Sequence, residues 1–329
     1  GKQLAYKVSM NSVYGYTGAK YCQLPCMPIA SSVTCQGRQM IEDTKKMVEK
    51  DFPGSVVRYG DTDSVMVEFK TKTEGSIQES WDMGVIAAKM ATDLFKEPNE
   101  LELEKIYTPF FLFSKKRYAA LKYEDPNGEP EIDVKGIQLI RRDNCKMVKT
   151  VSRSVLNTLL YDRDTEGAAS IVKDAVIDLI EGRVPMDQLI ISKSLRDNYK
   201  STSQPHLTVR DHMRLRKPGS EPKSGERVPY VFIDTGDKKH KQYQKAEDPE
   251  YARENGLPLD TKYYIDNQMK KSITPLFELL HDDANKLLFD DISTHRMKQT
   301  KGTYGWNTKG EVYKNQPSIT EMFKRMTSP

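Results

Sequence analysis

Hydrophobic positions along the chain switch between a helical and an alternating period, and the switches predict its elements. Residues 1–16 read as a helix, with Lys7, Asn11 and Tyr14 at i, i+4 and i+7 on one face and Ala5, Val8 and Ser12 on others. A second helix is expected over Ile29–Lys50, where Val33, Gly37, Met40, Ile41, Thr44 and Val48 form a stripe. Val56-Val57 and Val65-Met66-Val67 flank a polar tip, which predicts a β-hairpin over Val56–Phe69. Ser76–Phe95 returns to helical spacing, with Trp81, Val85, Ala88 and Leu94 directed inward. Strands follow at Tyr107–Phe113, Arg117–Tyr123 and Glu131–Lys135, the last two separated by the turn signal Pro126-Asn127-Gly128.

From about Arg141 the pattern is helical at Val148–Tyr161, Ala168–Gly182, Pro185–Leu195, Tyr263–Leu280 and His281–Phe289. A loop rich in Pro, Gly and Lys at Pro218–Arg227 leads into one strand, Val228–Asp234. The stretch from about Arg296 is polar, with Gly302, Gly305 and Gly310, and reads as a flexible tail. The expected class is α+β: a small antiparallel sheet backed by helices, then a mostly helical part.

A net charge of +4 over 329 residues excludes a polybasic coat, so any nucleic-acid binding must rest on local clusters. Cys22, Cys26, Cys35 and Cys145 lack the paired spacing of a structural zinc site and read as reduced thiols. No apolar run reaches membrane-spanning length, so no membrane partner is expected. The chain opens at Gly1 inside a helical pattern, which leads us to expect a piece of a longer protein.

The densest chemistry lies in Tyr59-Gly60-Asp61-Thr62-Asp63-Ser64. In an extended chain, alternation puts Asp61 and Asp63 on one side, where they repel unless a cation joins them. Mg²⁺, liganded by oxygen, suits such a pair. Gly60 would place the carboxylates at the tip of a tight turn. An isolated Asp-x-Asp is more often a solvated turn, but here Lys7-Val8-Ser9-Met10-Asn11-Ser12-Val13-Tyr14-Gly15 lies upstream. Its lysine suits a phosphate, and its amide and phenol suit a sugar or base edge.

Together these segments resemble the B-family DNA polymerases. The first is similar to that family's K-x-x-x-N-S-x-Y-G finger-helix motif and the second to its Y-G-D-T-D-S palm motif. Lys115-Lys116-Arg117-Tyr118 resembles the K-K-x-Y element. Asp133-Val134-Lys135-Gly136-Ile137 with Arg141-Arg142-Asp143 resembles the K-G-x-x-x-x-R-R-D segment at the palm–thumb passage. Ala246-Glu247-Asp248-Pro249 and Tyr263-Tyr264-Ile265-Asp266-Asn267-Gln268 look most like the delta and large-virus branch.

The resemblance implies the end of a finger helix (1–16), a palm with the catalytic hairpin (17–140), a thumb (141–295) and a tail (296–329). It implies DNA-templated nucleotidyl transfer with two Mg²⁺ ions in the complete enzyme. Asp63 would be a direct ligand and Asp61 a supporting carboxylate. Lys7, Asn11 and Tyr14 would meet the incoming dNTP. Lys115, Lys116, Arg117, Tyr118, Arg141 and Arg142 would meet primer–template DNA, with Arg210, Arg214, Arg216, Lys217 and Lys223 as weaker candidates. The other principal metal ligand belongs to a palm motif this sequence lacks, so the chain alone is expected to be inactive. The competing expectation is a catalytically silent DNA-grip fragment. A reverse transcriptase or RNA polymerase palm fits the quoted motifs less well. A nucleus or a viral replication compartment is the expected location. In the tail, Gln316, Ile319, Met322 and Phe323 resemble a sliding-clamp-binding box, with Met322 where an aromatic residue is usual.

Overall fold

The computed structural model of the chain describes residues 1–22, 25–137, 144–237 and 239–290. The chain divides into two compact units, Gly1–Asp133 and the part from Val134 onward.

The first unit opens with two long helices, α1 (Lys2–Gly18) and α2 (Met27–Asp51), the second begun by a proline in its first turn. A hairpin follows, β1 (Val56–Asp61) and β2 (Ser64–Glu68), then helix α3 (Ile77–Thr92). The Ser76 hydroxyl caps α3 by accepting the Glu79 N–H at 3.3 Å. Met47 and Val48 of α2 and Ala87 and Ala91 of α3 form a core, on which Val57 and Val67 of the hairpin, Phe52 and Phe69 are packed. Burying one face of each element is what fixes the hairpin's orientation. The second sheet has the order β3-β4-β5, with β3 at Ile106–Ser114, β4 at Arg117–Tyr123 and β5 at Glu131–Lys135. These are the strands expected from alternation, to within a residue.

The second unit is built on α4 (Lys146–Asn157), which runs on through a π-helical turn at Thr158–Asp162, and on α5 (Thr165–Ile180). Val151, Val155, Leu160, Val172 and Val176 are fully enclosed between them and their neighbours. The helix expected over Pro185–Leu195 is instead a short turn, α6 (Met186–Leu189), followed by strand β6 (Ile191–Ser194). β6 pairs with β7 (Arg227–Phe232), and β7 with β8 (Ala246–Glu247). Ile190 and Ile191 supplied apolar positions compatible with either period, and pairing to a strand 36 residues later decided the outcome.

Helix α7 (Pro205–Arg216) was not anticipated by periodicity. It is followed by α8 (Pro249–Glu254), α9 (Thr261–Tyr263), a π-helical stretch Tyr264–Met269 and α10 (Lys270–Phe277). The expected helix at His281–Phe289 is in part a π-helical turn at Lys286–Asp290. The tail candidates Gln316, Ile319, Met322 and Phe323 lie outside the described residues.

Candidate active site

β1 and β2 pair antiparallel, with Gly60 opposite Val65 and Asp61 opposite Ser64. The tip is therefore Thr62-Asp63, and Gly60 lies inside the strand rather than at the turn. Its expected role is corrected accordingly: a Cβ there would meet the Ser64 carbonyl oxygen at 3.5 Å and Ile41 at 3.7 Å, ordinary contacts. The unusual backbone belongs to Thr62, at φ 57°. The Asp63 N–H donates to the Asp61 carbonyl at 2.6 Å across that residue, a γ-turn with a positive central φ. Such a conformation is rare and strained for a β-branched residue. Strand alternation stops at Asp61, so the two carboxylates are separated by the turn itself. The strained Thr62 is what carries Asp63 out to solvent.

The two aspartates differ in their surroundings. Lys116 Nζ donates to Asp61 Oδ1 at 2.5 Å, and the Thr62 hydroxyl donates to the same oxygen at 3.1 Å. The hydrogen bond from Lys116 holds the Asp61 carboxyl below its ordinary range, and the same bond raises the Lys116 ammonium. Asp63 is exposed, and its carboxylate has no hydrogen-bond or ion-pair partner among the described residues.

Lys116 reaches Asp61 from the β3–β4 turn, where it sits at φ 63°. Its backbone N–H donates to the Tyr59 hydroxyl at 2.8 Å. Backbone and side chain of one lysine thus bond to Tyr59 and Asp61, two residues apart on the same face of β1. This joint ties the two sheets of the first unit together at the carboxylates. Tyr59 had no role assigned from sequence. Its spacing to Asp61 was the available signal, while the turn that meets it was not visible.

The hairpin suits a hard divalent cation in one respect. Such an ion commonly takes one or two protein carboxylates and completes its shell with water and substrate phosphates. Asp63 has open oxygens, whereas Asp61 already has an ammonium. No cluster of three or more acidic, His or Cys residues suited to a metal occurs among the described residues.

The family model for DNA polymerase family B matches residues 1–280. The chain belongs to that family. The DNA polymerase of Paramecium bursaria Chlorella virus NY2A is 41% identical, over 98% of this chain and 36% of that protein. The DNA polymerase delta catalytic subunit of Schizosaccharomyces pombe is 44% identical, over 88% of this chain and 27% of its own length. That of Candida albicans is 41% identical, with 95% and 31% covered. The chain thus spans between 27% and 36% of these relatives.

The remaining family-B motif residues fall in contrasting settings. Lys7, Asn11 and Tyr14 are all exposed on α1, which buries no side chain. Lys115 and Lys116 stand on the exposed β3–β4 turn, and Arg117 begins β4 half-buried. Tyr118, by contrast, is only 8% exposed. Its ring lies 5.8 Å from that of Tyr107 and 5.4 Å from Phe110. The Tyr107 hydroxyl donates to Asp133 at 2.6 Å, and burial together with that bond pushes its pKa far up. Tyr118 therefore anchors the basic turn from beneath.

The weaker cations are largely committed within the chain. Arg210 pairs with Asp211, Arg214 with Glu221, and Arg216 with Glu247 through two bonds of 3.0 and 2.6 Å while stacking 3.3 Å above Tyr251. Glu247 belongs to the Ala246–Pro249 motif, whose work here is to fix the end of α7. Arg141 and Arg142 lie outside the described residues. Among the described residues no helix is long and apolar enough to cross a membrane.

Proposed function

We propose that this chain is the palm–thumb part of a replicative DNA-directed DNA polymerase, working on primer–template DNA and dNTPs. The observation that carries the proposal is the hairpin tip: Asp63 presented bare on a strained turn, beside an Asp61 that is already neutralised. It stands in a chain matched to family B over residues 1–280.

Divalent cations, which we take to be two Mg²⁺ ions, would lower the pKa of the primer 3′-hydroxyl and offset charge on the transferring phosphate. Asp63 is the residue that would hold metal directly. Asp61 orients Lys116, and Tyr59 fixes that lysine's backbone, so the pair sets where the cationic turn meets the duplex. Lys115, Lys116, Arg117 and Tyr118 contact phosphates and the groove without reading sequence, which suits a copying enzyme. Lys7 contacts the triphosphate, with Asn11 and Tyr14 at the nascent base pair. Arg141 and Arg142 touch the primer strand.

The second reading, a DNA-grip fragment silent on its own, rests on the hairpin offering two carboxylates of which Asp61 is already engaged by Lys116. With Mg²⁺, dNTPs and primer–template, the purified chain should show salt-sensitive duplex binding and no extension. Templated extension would contradict the silent reading, and absence of duplex binding would contradict the polymerase assignment.

The tail residues Gln316, Ile319, Met322 and Phe323 form a sliding-clamp contact in this proposal, with the nucleus or a viral replication compartment as the place of work. A peptide of residues 310–329 should bind a clamp, and Ile319→Ala with Phe323→Ala should abolish that binding. Unchanged affinity would remove the assignment.

A further inference from the structure

We propose that Lys116 is a built-in counterion of the hairpin: its ammonium occupies Asp61 where a divalent cation would otherwise be shared, and leaves Asp63 as the tip's one available carboxylate. This rests on the polymerase reading, in which Asp63 holds metal, and adds what sets the strength of that hold.

An ammonium and a hard divalent cation compete for the same carboxylate oxygens. Here the ammonium is already in place, with Lys116 Nζ on Asp61 Oδ1 at 2.5 Å. The Thr62 hydroxyl donates to that oxygen at 3.1 Å, so Oδ1 carries two donors. Asp63 makes no ion pair with the ammonium but lies within its field. The bond to Asp61 holds the Lys116 ammonium above the usual lysine range, and the charge of Asp63 adds in the same direction. One cationic group thus acts on both carboxylates, as a shared metal ion would.

The backbone places the lysine for this task. Lys116 sits at φ 63°, and its N–H is fixed 2.8 Å from the Tyr59 hydroxyl. Tyr59 and Asp61 share a face of β1, so one strand holds the residue at both ends. A long side chain loses rotamer freedom when it pairs, and anchoring its backbone reduces what remains to be ordered. The neighbouring Lys115, exposed on the same turn, has no ion-pair partner among the described residues. The turn commits one lysine and leaves the next open. The committed pair still faces water, with the Lys116 side chain 70% and the Asp61 side chain 31% exposed. Ion pairs this exposed are weak, so a divalent ion at the tip can displace the ammonium. Lys116 therefore lowers the metal affinity of the hairpin without blocking it.

The test is Mn²⁺ binding to the whole chain, followed by the electron paramagnetic resonance of the free ion. It is run in about 0.5 M KCl, where the screening length is about 4 Å. Mn²⁺ takes the oxygen ligands that Mg²⁺ takes, and binding to a chain with both Asp61→Asn and Asp63→Asn is subtracted as background. Lys116→Gln keeps the backbone bond to Tyr59 and frees Asp61. It should raise the affinity of the tip about tenfold, the order expected when a divalent ion gains a second carboxylate in a largely aqueous site. Adding Asp61→Asn to Lys116→Gln should remove that gain. Lys116→Arg keeps the cation and should bind Mn²⁺ as the parent does. Lys115→Gln removes equal charge from the same turn without freeing Asp61, and should gain little. The proposal is overturned if Lys116→Gln matches the parent, if its gain survives the added Asp61→Asn, or if Lys115→Gln gains as much. The polymerase reading stands apart from these results, because it fails on duplex binding and incorporation.

Discussion

Helices α1 and α4 have much in common on paper and differ completely in use. Leu4, Tyr6, Val8, Met10, Val13, Tyr14 and Tyr16 give α1 apolar side chains on every side, and all of them are exposed. Helix α4 gathers Met147, Val148, Val151, Val155 and Leu156 on one face, and all are buried. An isolated helix of this length is marginal in water, so packing, rather than propensity, must secure it. Helix α4 obtains that packing inside its own unit. Helix α1 packs against α2 and turns Lys7, Asn11 and Tyr14 outward with its apolar residues. The chain's stability and its proposed chemistry therefore reside in different places, and substitutions should separate them.

The largest separation is in stability. Leu160→Ala, at a fully enclosed site beyond α4, should cost about 2–5 kcal/mol in chemical denaturation. Met10→Ala on α1 should stay within about 0.5 kcal/mol. Equal costs would erase the contrast between the helices.

Thiol chemistry sharpens the same comparison. Cys35 on α2 is exposed, while Cys145 at the start of α4 is buried and its thiol is pushed up to about 11. At pH 8 the exposed Cys35 should react readily with a thiol reagent. Cys145 should react only as its unit opens, at least about a hundredfold more slowly, since both thiolate fraction and access are lost. Mass spectrometry of labelled peptides against time reads both rates. Comparable labelling would mean that the start of α4 is open.

Much of this was legible in sequence because the period was strong. The hairpin, β3, β4, β5, α2 and α5 stand where apolar spacing put them. Failures came where long-range pairing decided between periods, as at Ile191, or where the deciding feature is a single backbone angle. Thr62 and Lys116 both adopt positive φ without being glycine, and no local pattern announces that. Gly60, the residue that did look like the turn, is strand. The aspartates were recognisable as a pair, but their inequality was not. It depends on Lys116, 55 residues away, and on Tyr59 holding its backbone. Burial of Tyr118 was equally hidden, because a motif names an aromatic side chain without its direction.

The central claim is that the hairpin's two aspartates do different work, Asp63 toward metal and Asp61 toward Lys116. The direct measurement is single-nucleotide incorporation, with primer–template affinity in parallel, by a reconstituted full-length polymerase containing this chain. Asp63→Ala should abolish incorporation, by about a thousandfold or more, while duplex affinity stays within a few-fold. Asp61→Ala should leave measurable incorporation and resemble Lys116→Ala in its effect on duplex affinity. Near-normal incorporation by Asp63→Ala, or an Asp61→Ala loss equal to that of Asp63→Ala with no effect on affinity, would contradict the division of labour.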